Sequence, residues 1–170
     1  MKRIFNLMIL ILSLTILLSD VAIADKATKA MKPEATMAMK PNEGWALHVD
    51  AKMHFPNMPE MIAHHYCKPV SGGLTECLLF DSDMPDARLV GIEVIVSAEI
   101  YKKFSKKEKA LWHYHKTEIP KVGATLPEHS PEEAAKIVKS MEETYGKVYL
   151  LWDPGKGAFP MGKPMVHILK

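Results

Sequence analysis

Thiols are scarce in this chain: two cysteines in 170 residues leave no room for a Cys-rich metal knuckle or a multiply cross-linked scaffold. Aromatics make up only 8% of residues. Charge of one sign is not in excess, with 22 Lys and Arg against 20 Asp and Glu. A nucleic-acid partner would demand a basic stripe, so that class is set aside. Catalytic signatures are missing too. The chain has no His-Glu-x-x-His, Cys-x-x-Cys, Gly-x-Ser-x-Gly, P-loop or Gly-x-Gly-x-x-Gly. No enzyme class is therefore assigned. A single long hydrophobic run occurs, and it lies at the start.

That run has the anatomy of an export leader. Lys2 and Arg3 precede an almost wholly apolar stretch from Ile4 to Leu18, and Ala22-Ile23-Ala24 supplies small residues for cleavage. A spanning helix needs roughly 20 apolar residues, and Ser19 and Asp20 end this run early. The expectation is a signal peptide over residues 1–24, no transmembrane span after its removal, and a periplasmic or secreted product. Without Lys2, Arg3 and Asp20 the remainder carries 20 basic and 19 acidic side chains.

Residues 25–43 are dominated by Ala, Lys, Met, Pro and Glu and contain no aromatic. Such a stretch buries too little to offset backbone ordering and reads as a tether. Its Met31, Met37 and Met39 are soft donors of a kind that suits Cu(I). The folded domain is then expected over residues 44–170.

Within it, the clearest local element is a β-hairpin. Residues 62–70 lead into Ser71-Gly72-Gly73, and residues 74–80 lead out. Glycine pairs supply the positive φ a tight turn needs. A turn centred on Gly72 sets Cys67 opposite Cys77. In an oxidising compartment these two pair as a disulfide; buried free thiols are the alternative. Residues 88–96, rich in β-branched side chains, read as a central strand, with Gly91 marking a bulge. Ser97 caps a short helix, and Ser105-Lys-Lys-Glu108 has the form of a capping box. Residues 113–119 look extended, and Pro120 ends them. Ser130-Pro131-Glu132-Glu133 is a strong helix start, and its helix carries an apolar stripe to Tyr145 before Gly146. Strands are expected over 147–152 and 165–169. The fold class is α+β, a small, mostly antiparallel sheet with two or three packed helices.

Histidine is the residue type most open to chemistry. His113 and His115 flank Tyr114, and alternate residues of a strand share a face. That spacing suits a divalent metal, Zn or Cu. His64 and His65 are adjacent, so on a strand they face opposite ways and only one joins the pair. The candidate ligands are His64, His65, His113, His115 and Glu118. Asp81, Asp83 and His54 are candidates for the surrounding pocket. A different reading attaches to residues 100–112, where five lysines sit among Ile100, Tyr101, Phe104, Leu111 and Trp112. A basic amphipathic helix with aromatics makes peripheral lipid contact; a helix docked on the sheet is the competing reading.

Several ordered motifs carry a family resemblance. They are His64-His-Tyr-Cys67, Cys77, Phe80-Asp-Ser-Asp83, the run Ala87 to Ser97, and Glu108-Lys-Ala-Leu-Trp-His113 with His115. Tyr145-Gly-Lys147, Trp152 and Phe159-Pro-Met-Gly-Lys-Pro164 complete the set. In this order they resemble the plant oil body-associated proteins and their bacterial relatives, a domain family of unknown function. The resemblance covers residues 50–168. It implies a small α+β domain and, for the plant members, residence on lipid droplets; it implies no activity or catalytic residue. The leader and tether depart from it, so lipid-droplet residence does not transfer. It does make the His, Cys and Asp residues part of a shared pattern, as a polar pocket for a metal or small ligand would be. The first expectation is an exported binding or accessory domain without catalysis. The alternatives are a metal-binding or metal-dependent protein and a peripheral lipid-associated one.

Overall fold

The computed structural model describes residues 40–169. The expected signal peptide, nearly all of the tether, and the three tether methionines lie outside the described residues. Lys40 to Glu43 form a turn whose carbonyls at Pro41 and Glu43 accept from Lys68 Nζ.

Seven strands form one sheet, and every pairing in it is antiparallel. In chain order they are β1 (Leu47–Ala51), β2 (Ala63–Val70), β3 (Leu74–Phe80), β4 (Leu89–Ser97), β5 (His113–Tyr114), β6 (Thr144–Leu150) and β7 (Met165–His167). The spatial order is β1-β2-β3-β4-β6-β5, with β7 also on β6. Four helices interrupt the strands: α1 (Ala98–Lys102), α2 (Lys106–Lys109), α3 (His115–Val122) and α4 (Pro131–Met141). The class is α+β, with one helix more than the sequence suggests because residues 115–122, expected to be largely extended, form α3.

The β2–β3 hairpin forms as expected. Gly72 and Gly73 take φ of 78° and 75°, which most side chains resist. Its register sets Cys67 opposite Cys77, and the two are disulfide-bonded. In β4, Phe80 pairs with Leu89 and Leu79 with Gly91, leaving Val90 as the extra residue of a bulge. Gly91 itself is needed for close approach, since a Cβ there would lie 2.5 Å from the Tyr149 carbonyl oxygen.

Three expected elements come out differently. The strand starting at His113 lasts two residues and then becomes α3. β5 runs antiparallel along β6, whose first residue is Thr144, so beyond Tyr114 there is little backbone left to pair with. Pro120 sits inside α3 and does not end it. The carbonyl that loses its donor belongs to Lys116, an exposed residue, where water can replace the bond. The α4 helix has its full capping box at Ser130 and Glu133, but it stops at Met141. Tyr145 and Gly146 are strand residues. The Ser105 box is half made: Ser105 caps Glu108 N–H, while the Glu108 carboxylate turns to Trp112 and Lys147. β1 was not legible as a strand.

Strand alternation sorts side chains onto two faces. Val49, Ala51, Ala63, Cys67, Cys77, Leu79, Ile95, Val148 and Leu150 build the core, with Val122 and Leu169 packed onto it. The other face carries Tyr101 stacked on Tyr145 with ring centroids 3.6 Å apart, and Phe104 against Trp112 at 5.1 Å.

Candidate functional site

A hollow of about 40 Å³ opens in the core face. That is room for an ion and a water or two, by the rule that one water needs about 10–15 Å³. At its centre is Glu93, 4% exposed, in the middle of β4. Cross-strand pairing fixes its neighbours: Cys77 on β3 and Val148 on β6. A buried carboxylate is costly unless paired. Its partners are four imidazoles.

His113 Nε2 and His115 Nε2 lie 3.0 and 3.2 Å from Glu93 Oε1. His65 Nε2 and His54 Nε2 lie 3.5 and 3.9 Å from Oε2. Each carboxylate oxygen thus faces its own pair of rings. All four histidines are buried. Their ligand atoms and the carboxylate form two overlapping triads, His54–His65–Glu93 and His113–His115–Glu93.

The local structure explains each placement. His65 lies on β2 with its side chain on the core face, and His64 therefore points the other way. His113 occupies β5. His115, although it opens α3, still reaches the carboxylate; its ring centroid is 5.1 Å from that of His113. His54 enters from the β1–β2 loop, where Met53 takes a φ of 67°. A non-glycine residue in that region costs free energy and persists only where its surroundings enforce it. Here Met53 N–H donates to the Pro59 carbonyl, and the Met53 carbonyl accepts from His167. Gly146 forms the floor. A Cβ there would lie 2.0 Å from Glu93 Oε1 and 2.5 Å from His113 Nε2. Only glycine lets these side chains meet over β6.

Hydrogen bonds on the far side of the rings set the tautomers. His65 Nδ1 is within 2.9 Å of the Ala63 carbonyl and 3.1 Å of the Val49 carbonyl. His54 Nδ1 is 2.8 Å from the Lys52 carbonyl. A carbonyl only accepts, so both Nδ1 atoms carry the proton. His115 Nδ1 is 2.7 Å from Thr144 Oγ1, whose own proton goes to the Met141 carbonyl. That ring also donates from Nδ1. In the neutral form, three rings therefore present bare Nε2 lone pairs to the Glu93 carboxylate. His113 is the exception: its Nδ1 has no partner, and its Nε2, 3.0 Å from the Glu93 oxygen, carries the proton toward the carboxylate. Glu118 lines the same hollow, 6% exposed, with Oε2 unpartnered.

Electrostatics keep the His54 ring uncharged. Burial, then the neighbouring His65, pull the His54 imidazole down to about 3, so it is neutral at any ordinary pH. Burial pushes the Glu93 carboxyl upward, but hydrogen bonds from the His113, His115 and His65 rings in their protonated form, and then the charge on His113, outweigh it and hold the carboxyl well below its usual range. Glu93 is an anion.

Of the ligands expected from sequence, His65, His113, His115 and Glu118 converge on the hollow, and so does His54 from the expected pocket. His64 does not: it pairs with Asp50 on the opposite face. Asp81 does not either. Its carboxylate accepts from the Arg88 backbone N–H and from Arg88 Nε, closing the β3–β4 loop. Asp83 is exposed in that loop. Glu93 was missed, although it is the lone carboxylate in an apolar strand. Gly146 was missed because it was read as the end of a helix.

The fold and this cluster define a small α+β domain organised around a buried histidine–carboxylate centre. Residues 39–169 match the family described as "Protein of unknown function (DUF1264)", and the chain belongs to that family. It is 35% identical over 102 residues to Oil body-associated protein 2C of Arabidopsis thaliana, covering 59% of this chain and 43% of that protein. It is 35% identical over 107 residues to Oil body-associated protein 2B of Zea mays, covering 62% and 42%. Oil body-associated protein 1B of Arabidopsis thaliana is 34% identical over 105 residues, covering 61% and 44%. The chain thus spans less than half the length of each of these relatives. No solved structure matches. Among the described residues, no helix is long and apolar enough to cross a membrane.

Proposed function

We propose that this chain is an exported, non-catalytic metal-binding protein whose core hollow holds a divalent transition metal, zinc or copper, on Glu93 and the histidines around it. One observation carries the reading. His54, His65 and His115 donate from Nδ1 to protein acceptors, so their Nε2 lone pairs face a carboxylate that is itself only an acceptor. Acceptors facing acceptors repel. An unsatisfied buried polar group costs about 1–3 kcal/mol, and more when charged. A cation among them reverses the sign of those three contacts. Metal-bound histidines characteristically donate their second N–H to a carbonyl or similar acceptor, which fixes ring and tautomer. The donors are nitrogen and oxygen, which suit Zn²⁺ or Cu²⁺.

A binding role accords with the lack of a nucleophile at the site. Both cysteines beside the hollow are joined in a disulfide, so neither offers a thiolate. The same disulfide, with the apolar leader, supports an oxidising compartment outside the cytoplasm. Lipid contact through residues 100–112 has less support. Tyr101 stacks on Tyr145 of the sheet, Phe104 packs on Trp112, and α1 and α2 are short and separate.

Elemental analysis of untagged protein tests the reading. We expect roughly one or more zinc or copper ions per chain and a metal-dependent rise in melting temperature. The double variant His113→Ala, His115→Ala should lose both. Wild-type protein with less than about a tenth of an ion per chain after incubation with metal, and no thermal shift, would overturn it.

A further inference from the structure

The opposite face of the β1–β2 strand pair carries a second donor set that the core hollow does not use. His48 and Asp50 lie two residues apart on β1 and share a face. The register sets His64 directly opposite Asp50. His48 Nε2 is 2.9 Å from Asp50 Oδ1, and His64 Nδ1 is 2.6 Å from the same oxygen. Both separations are hydrogen-bond distances, yet none of these three atoms has a properly directed hydrogen bond. Ligands of a common ion produce this pattern. Their lone pairs aim at a point between them, so the atoms come close while their directions miss one another.

The surroundings hold the set in place. His48 is 4% exposed, and its ring stacks on Tyr66 with centroids 4.5 Å apart and planes 12° off parallel. The Glu128 carboxylate lies 3.4 Å from His48 Nδ1 and favours the proton there, leaving the lone pair on Nε2. Backbone hydrogen bonds in both directions tie Asp50 to Thr125. The side chains of His64 and Asp50 are 12% and 17% exposed, so an ion reaches the set from solvent.

We propose that His48 Nε2, Asp50 Oδ1 and His64 Nδ1 form a second metal site, a two-histidine, one-carboxylate triad for a divalent first-row ion such as Zn²⁺ or Fe²⁺. Three protein donors leave the remaining coordination positions open to water, the arrangement used by accessible zinc and non-haem iron centres. The two sites lie on opposite faces of one sheet, and neither depends on the other.

Equilibrium dialysis of the untagged full chain against Zn²⁺ counts the ions. We expect Asp50→Asn, which preserves shape, and His64→Ala each to hold one ion fewer than wild type. The double variant His113→Ala, His115→Ala should keep the ion that these two lose. If Asp50→Asn and His64→Ala retain the wild-type number, the second site is overturned. If they lose an ion while the core variants lose none, this site stands and the core reading falls. Should circular dichroism show that the variants do not fold, anomalous scattering from zinc-soaked wild-type crystals decides. A peak within bonding distance of the three atoms supports the site, and its absence there overturns it.

Discussion

Two ionic centres lie on opposite faces of the sheet, each with one buried charge, and they differ in what faces that charge. Lys147, 6% exposed, places Nζ 2.7 Å from Glu108 Oε1 and 5.0 Å from the Tyr149 ring centroid. Trp112 Nε1 donates to the same Glu108 oxygen at 2.8 Å. Both donor groups there meet an acceptor, the Glu108 carboxylate. Glu93 is as buried as Lys147, but three of the four rings around it turn a proton away from it. The contrast teaches that burial of a charge does not by itself mark a ligand site. The polarity of the atoms facing it does.

The comparison breaks most violently at Gly146. The substitution Gly146→Ala would push a methyl into Glu93 and His113, and we expect it to destabilise the fold by about 3 kcal/mol, the upper part of the usual overpacking range. Thermal unfolding of the metal-free protein measures this, and a melting temperature equal to wild type would show that the centre has slack.

Glu93→Gln sharpens the contrast further. An amide offers N–H donors to bare imidazole nitrogens, so metal-free stability should change by less than about 1 kcal/mol while metal-induced stabilisation disappears. That stabilisation should reach about 2.7 kcal/mol at a free metal concentration one hundred times Kd. If the rings instead donate to Glu93, the amide loses charged hydrogen bonds and the metal-free protein melts well below wild type. Chemical denaturation with and without zinc separates the two. Next in size, Cys67→Ser with Cys77→Ser should cost about 2–3 kcal/mol for so short a loop, read from the shift in denaturation midpoint.

The smallest effect belongs to the Lys147–Glu108 centre. Hydrogen bonds from Lys147 and Trp112 hold the Glu108 carboxyl below its ordinary value. Its stabilisation is therefore present above the unfolded carboxyl's pKa and fades as pH falls through the lower folded value. For Lys147, burial pulls the ammonium down, but Glu108 and Tyr149 outweigh it and leave it raised. That contribution is full below the unfolded lysine pKa and fades as pH rises through the folded one. Glu108 is 37% exposed, so solvent screens the pair. Glu108→Gln should flatten the acid limb of a stability–pH curve slightly, and an unchanged curve would count the pair as inert.

Much of this was readable in the chain. Gly72 and Gly73 fixed a turn, the turn fixed a register, and the register set Cys67 opposite Cys77. His64 and His65, being adjacent, had to part company. The His113–His115 pairing was legible for an incomplete reason: strand alternation accounts for His113 alone, while His115 reaches Glu93 from the first turn of α3. What could not be read was long-range. The end of β6 at Thr144 decides where β5 must stop, and no local pattern near His113 records that. Glu93 did leave a trace, as a single carboxylate between Ile92 and Val94. His48 and Asp50 alternate with Val49 and Ala51, but five residues are too few to set β1 apart from a loop.

Nitrogen-15 NMR of the imidazoles in metal-free protein near neutral pH tests the central claim most directly. We expect His54, His65 and His115 to carry their proton on Nδ1, with Nε2 resonances of the unprotonated type that move when Zn²⁺ is added. Protons found on Nε2 of His65 and His115, with signals indifferent to zinc, would mean that the protein satisfies Glu93 unaided, and the metal-binding account would be contradicted.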